Sequence, residues 1–164
     1  KLGGTAERHT NERQVVELHG GTLMMNMRNY WGRDGKDAER DKRRAVAFSR
    51  DGGETWSDLR FDNTLIEPIC QASLVRIATS QKEDQLLFSN PASKTTRHRL
   101  TVRLSNDGGN TWPQALLLHE GPSAYSCLTL LPDGEIGCLY EAGERHPYEK
   151  IVFARFGLRV VPTK

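Results

Sequence analysis

The run Ser49-Arg50-Asp51-Gly52-Gly53-Glu54-Thr55-Trp56 returns fifty-six residues later as Ser105-Asn106-Asp107-Gly108-Gly109-Asn110-Thr111-Trp112. Both copies fit S-x-D-x-G-x-T-W. Each follows an alternating run, Ala45-Val46-Ala47-Phe48 before the first and Leu100-Thr101-Val102-Arg103-Leu104 before the second. A strand that runs into Asp-Gly-Gly predicts the tip of a β-hairpin, because glycine reaches positive φ where a side chain would clash. The Asp carboxylate accepts N–H bonds inside such a turn. The Trp then folds back over the hairpin base, covering about 200 Å² of ring. Asp-x-Gly also opens calcium loops, but the further oxygen ligands and distal Glu of an EF-hand are missing. A structural turn is therefore expected, and no metal.

This pattern is the Asp-box, and two copies at this spacing resemble the sialidases and related BNR-repeat propellers. A period of about fifty residues built from short strands is also how a propeller blade looks in sequence. In those families the boxes lie at blade hairpins away from the active site, so they bear on fold and not on chemistry.

The rest of the chain agrees with an all-β reading. Short apolar runs lie at residues 14–18, 22–28, 71–78, 85–89, 116–118, 126–131, 136–140 and 151–156, and Leu59 and Phe61 mark the return from the first box. Asn90-Pro91 is expected to break the run before it. Pro132-Asp133-Gly134 predicts a hairpin, Gln81-Lys82-Glu83-Asp84 a turn, and residues 29–42 a long polar loop. No helical period is sustained. About a dozen strands make about three four-stranded blades, and fifteen glycines with seven prolines suit so many turns. Open blade edges are avoided by natural sheets. Residues 1–164 are thus expected either to be a fragment of a longer enzyme or to associate with further chain; the resemblance, to a fold of six blades, implies that they are the C-terminal half of such a propeller.

A net charge of +2 is too small to argue for nucleic acid. The basic run Arg40-Asp41-Lys42-Arg43-Arg44 has no interleaved aromatics and is expected to be a solvated loop. Cys70, Cys127 and Cys138, odd in number and scattered, predict buried free thiols. No apolar run of roughly eighteen residues is present to span a membrane. A chain that opens at Lys1 with no signal peptide is expected to lack an upstream part.

Four further segments resemble the C-terminal half of exo-sialidases, in family order: residues 11–18, which open Asn11-Glu12; Met25-Asn26-Met27-Arg28; Phe88-Ser89-Asn90-Pro91 followed by residues 97–105; and Ala124-Tyr125-Ser126-Cys127-Leu128 followed by residues 131–134 and 137–141. The resemblance implies that Tyr125 is the nucleophile and Glu12 its base. Sialic acid carries a carboxylate on its anomeric carbon, so an acidic nucleophile would approach a like charge. A tyrosine is neutral until its base takes the proton, and sialidases depart from the two-carboxylate pattern in this way. Taken alone, Tyr125 reads as a half-buried aromatic and Glu12 as a surface carboxylate. Glu17 is the competing carboxylate; Tyr140, inside an apolar strand, competes with Tyr125 but looks like core.

Arg28 and Arg97 match two members of the family's arginine triad, which grips the substrate carboxylate through paired hydrogen bonds that Lys cannot make. Arg97 is chosen over Arg99 and Arg103 on the spacing of Arg-x-x-Leu-Thr. Gln71 and Asn90 lie in matching segments, and stand equally as pocket-lining groups or as plain loop polar residues. The first triad arginine and the aspartate acid/base are missing, since Asp34, Asp37 and Asp41 fall at the wrong place in the order. The expected partners are a sialylated glycoprotein, glycolipid or oligosaccharide and the N-terminal blades of the same enzyme, with no cofactor; the family slightly favours a secreted or extracellular place. Two other readings stay open: a non-catalytic Asp-box module that binds glycan or protein, and a glycosidase of other specificity. The first has no reason to keep Tyr125, Glu12 and both arginines together, and the second would be expected to replace the arginines.

Overall fold

The computed structural model describes residues 4–5, 9–31, 42–77 and 84–160. Strands β1 (Thr10–Glu17), β2 (Leu23–Asn29), β3 (Arg43–Ser49) and β4 (Arg60–Ile66) pair antiparallel in chain order as one four-stranded sheet. Strands β5 (Ser73–Ile77), β6 (Gln85–Pro91), β7 (His98–Ser105) and the first half of β8 (Gln114–Leu130) repeat that pattern. The second half of β8 then leaves β7 and pairs with β9 (Ile136–Ala142), which pairs with β10 (Lys150–Phe156). Two four-stranded units and three strands of a third follow one another, the arrangement of a partial β-propeller.

The units stack through their faces. Leu18, Met24, Val46 and Leu65 of the first pack on Ala72, Leu74, Leu86, Phe88 and Trp112 of the second. Leu87, Leu100 and Val102 meet Leu128, Cys138, Tyr140 and Phe156 of the third in the same way. This alternation, with one face of a strand against each neighbouring unit, explains why β2, β3 and β6 are buried at nearly every position, polar residues included.

Four sequence expectations are corrected. Residues 116–118 and 126–131 belong to one seventeen-residue strand, β8. Gly121 and Pro122 do not end it because they lie where it changes partner: Pro122 faces His98 of β7, and Ser123 faces Ala142 of β9. Asn90-Pro91 does not break β6 either. The Ala92 N–H bonds Arg99 O, so the Pro91 nitrogen faces the opposite side, past Ser73, where β5 has not begun. Arg44 lies in no solvated loop; it is fully buried on β3 against Glu67. Residues 32–41, with Asp34, Asp37 and Asp41, and residues 81–83 of the expected turn lie outside the described residues. Cys70 and Cys138 are buried free thiols, whereas Cys127 is exposed.

Both boxes form the same turn. Gly52 and Gly53 have φ of 71° and 90°, and Gly108 and Gly109 have 69° and 82°. Asp107 Oδ1 accepts the Thr111 N–H at 2.9 Å and the Ser105 hydroxyl at 2.7 Å, and Oδ2 accepts the Thr111 hydroxyl at 2.6 Å. Asp51 makes the corresponding bonds to Thr55 and Ser49. Trp112 is buried against Phe88, its Nε1–H on Asp62.

Partial burial pushes the Asp107 carboxyl up, but the Thr111, Ser105 and Asn110 donors outweigh it and hold the group below its ordinary value. The hydroxyl and N–H of Thr55 do the same for Asp51. A depressed folded pKa contributes stability that is present above the unfolded carboxylate value of about 3.9 and fades as pH falls through the folded value. Asp107→Ala is therefore expected to cost about 1 kcal/mol at neutral pH, since the carboxylate is exposed and solvent screens it, and to flatten the acid side of the stability profile. Urea denaturation at a series of pH values measures both.

Candidate active site

Glu12 and Tyr125 both come from β-bulges. In β1 the register moves from Asn11 opposite Arg28 to Gln14 opposite Asn26, so Glu12 and Arg13 face the single residue Met27. In β8 it moves from Ser123 opposite Ala142 to Ser126 opposite Tyr140, so Ala124 and Tyr125 face Glu141. An extra residue on one strand re-aims the side chain it carries. Glu12 holds φ at 39°, a left-handed conformation that costs a non-glycine residue about 1–3 kcal/mol. β5 lies beside both β1 and β8, and across it the two re-aimed side chains meet: the Tyr125 hydroxyl donates to Glu12 Oε1.

Arg28, on β2 across the first bulge, donates through one terminal nitrogen to Glu12 Oε2 and, at 3.4 Å, to the Tyr125 hydroxyl. Its other terminal nitrogen donates to the Tyr30 hydroxyl, and its guanidinium lies 4.6 Å from the Tyr30 ring centre. Arg97 precedes β7, with its guanidinium 5.8 Å from the Tyr125 ring centre. One terminal nitrogen bonds Ile69 O at 3.1 Å and the other the Tyr148 hydroxyl. Of its neighbours, Arg99 pairs on the surface with Glu120, and Arg103 is partly buried on β7.

Gln71 and Asn90 face inward contacts. Gln71 Oε1 accepts the Ser126 N–H and its Nε2 donates to Ser126 O, both at 3.0 Å. Asn90 is buried, with Nδ2 on Ile66 O at 2.8 Å. Tyr140 is packed in the core, and Glu17 lies at the far end of β1 from the bulge. An open cavity of about 280 Å³ adjoins Tyr125, lined also by Gln71, Cys127, Leu139, Glu141 and Ile151. Glu12 and the two arginines are not part of that lining, so the charged cluster and the cavity meet at Tyr125.

The electrostatics separate acid from base. Burial pushes Glu12 up, but the hydrogen bonds from Tyr125 and Arg28 and the charges of both arginines hold it below the usual carboxylate range. The hydrogen bond to Glu12, with some burial, raises the Tyr125 phenol above its ordinary value. At neutral pH the pair is an ionised carboxylate and a neutral phenol beside two guanidinium groups. Such a cluster suits an anionic ligand, with a phenol whose proton has a ready acceptor.

Tyr30, Tyr148 and Glu141 complete the surroundings and were not picked out from sequence. Tyr30 was within reach, because it follows Arg28 by two residues and so shares its side of an extended chain. Tyr148 sits in the turn before β10, held by Glu149, whose carboxylate accepts the N–H groups of Glu144, Arg145 and His146. Nothing periodic marks it.

The BNR repeat-like domain family matches residues 2–138. The chain belongs to the BNR repeat-like family. It is similar to the sialidase of Micromonospora viridifaciens, with 38% identity over 90% of this chain and 22% of the relative. It is also similar to the sialidase of Bacteroides fragilis (strain YCH46), with 37% identity over 89% of this chain and 26% of the relative. Among solved structures, the Hadza microbial sialidase Hz136 superposes with a TM-score of 0.79 at 38% identity, over 96% of this chain and 29% of that one. The chain thus spans about a quarter of the length of these sialidases. The fold is that of a sialidase-type propeller, represented by two blades and part of a third.

Proposed function

We propose that this chain is the C-terminal part of the propeller of an exo-α-sialidase, which removes terminal sialic acid from a glycoprotein, glycolipid or oligosaccharide. The observation that carries the reading is the Tyr125 hydroxyl bonded to Glu12 between Arg28 and Arg97. The face of β9 and β10 beside Tyr125 supports the need for further blades: Leu139, Ile151 and Phe153 are 46%, 70% and 55% exposed on it, an apolar sheet surface that calls for cover.

The substrate carboxylate docks on Arg28 and Arg97, whose planar guanidinium groups can each donate two parallel N–H bonds to its oxygens. This docking draws Arg28 away from Glu12 and so raises the basicity of a carboxylate that Arg28 otherwise depresses. Tyr125 oxygen then attacks the anomeric carbon as its proton passes to Glu12, and the glycosidic bond breaks. Water resolves the glycosyl-tyrosine in a second displacement, with net retention. The proton for the leaving oxygen, and a further carboxylate-binding arginine, come from the remaining blades.

Cleavage of a fluorogenic α-sialoside by the full-length protein tests the proposal, with the first-released anomer followed by NMR. Release of the α-anomer is the expected result. Binding of sialylated glycans without cleavage would favour a lectin-like module instead. Arg97→Lys is expected to raise KM about tenfold and to change kcat less, because the paired hydrogen bonds to the carboxylate are lost while the charge remains. Steady-state kinetics separate the two.

A further inference from the structure

We propose that Tyr30 is a further ligand of the substrate carboxylate, its hydroxyl donating to the anion that Arg28 grips. The proposal rests on the reading of the site as one that binds sialic acid.

Tyr30 stands two residues beyond Arg28, on the same side of the extended chain. Its N–H bonds His9 O at 2.8 Å, which fixes the chain just past the end of β2. Two donors converge on the phenol oxygen, a terminal nitrogen of Arg28 and Asn11 Nδ2, the latter at 3.3 Å. A phenol has one proton to give and two lone pairs to receive with. Both lone pairs are engaged by N–H groups, so the oxygen can meet a ligand only through its own proton. Among the described residues the hydroxyl makes only the two bonds that it accepts. Its proton faces no protein acceptor there.

Donors outnumber acceptors around it. An arginine carries five N–H groups. Those of Arg28 reach Glu12 Oε2, the Tyr125 oxygen and the Tyr30 oxygen, while its buried Nε has no acceptor among the described residues. Glu12 Oε1 is already taken by the Tyr125 hydroxyl. A buried donor left without an acceptor costs free energy until something supplies one. The missing partner is an anion with more than one oxygen. A phenol that accepts from a guanidinium is polarised by it and donates more strongly. The Tyr30 O–H and the Arg28 guanidinium beside it thus make adjacent donors for one carboxylate. A sugar hydroxyl in the same place would bring one more donor to a group that already has too many.

The test compares the full-length wild type with Tyr30→Phe, which keeps the ring beside Arg28 and removes one oxygen. Three quantities are read: affinity for free sialic acid by calorimetry, the pH profile of kcat/KM on a fluorogenic sialoside, and the melting temperature. Tyr30→Phe is expected to bind sialic acid about tenfold more weakly, as fits the loss of one hydrogen bond to a charged group. KM is expected to rise by a similar factor, with kcat changed less. The acid limb that Glu12 sets and the melting temperature are expected to stay at their wild-type values. Weaker binding together with an upward shift of that limb would overturn the proposal, because Tyr30 would then act only by holding Arg28 on Glu12. So would a melting temperature that falls along with the affinity, which would make the loss one of packing. Tyr30→Phe binding that matches wild type sinks this proposal alone. A wild type that binds no sialic acid sinks the functional reading, and this proposal with it. If wild type binds without cleaving, the two affinities decide.

Discussion

A Tyr125→Phe variant of the full-length protein is expected to fold and to lose sialoside cleavage by about 10²- to 10⁴-fold, the range for a group that works on the reacting atoms. The change removes one oxygen. The ring keeps its place beside Arg97, and Tyr125 is 37% exposed, so little packing is at stake. Arg28 keeps Glu12, and binding of sialic acid is expected to persist. Falling kcat with a nearly constant dissociation constant is the signature that distinguishes a nucleophile from a binding group. The pH profile carries a second check. Glu12 acts as base only when ionised, and its depressed pKa keeps it so in mild acid. The acid limb of kcat/KM is therefore expected below the ordinary glutamate value of about 4.3. Arg28→Lys weakens the hold on Glu12 and should move that limb upward. A limb that stayed fixed would mean that another group titrates there.

Legibility in sequence followed how local the cause was. The Asp-box turns were readable because Ser49, Asp51, Gly52, Gly53 and Thr55 make their turn almost entirely among themselves, and so do Ser105 to Thr111. Pro132-Asp133-Gly134 was readable for the same reason; Gly134 has φ 84° and the Leu131 and Glu135 backbones pair across it. Continuity of β8 was not, because Gly121-Pro122 is a break in any context except a strand that changes partner at that point. Tyr125, Glu12, Arg28 and Arg97 were named through family order, and the geometry adds how they are brought together. Two bulges do it, and a bulge is a mismatch between strands far apart in sequence. The work of Gln71 was hidden for a related reason, since its partner, Ser126, is fifty-five residues away.

Arg44 illustrates the same limit in the core, and its partner carries the largest expected stability effect. Within a charged run it looked solvated, yet Arg44 and Glu67 are both fully buried, 2.7 Å apart. Arg44 also donates to Asn26 Oδ1 and Cys70 O, and Glu67 accepts the Asn29 and Cys70 N–H groups. Burial holds the Glu67 carboxyl above its ordinary value, and Arg44 and these N–H donors offset only part of the rise. Glu67→Leu leaves the Arg44 charge buried without its partner, and such a loss costs about 3–5 kcal/mol. At about 2–4 °C per kcal/mol for a unit of this size, the melting temperature should fall by roughly 6–20 °C. Arg44→Met together with Glu67→Leu removes both charges, so the double variant is expected to lose less than the sum of the single losses. It should still fall short of wild type, because Cys70 O and Asn26 Oδ1 lose the donor that Arg44 supplies. The effect reaches the site by a short path. Glu67 opens the segment whose Ile69 carbonyl holds Arg97 and whose Gln71 holds Ser126. Below its lowered melting temperature, Glu67→Leu is therefore expected to raise KM through Arg97 and lower kcat through Tyr125. A folded Glu67→Leu protein with wild-type kinetics would show that the site keeps its geometry without the buried pair.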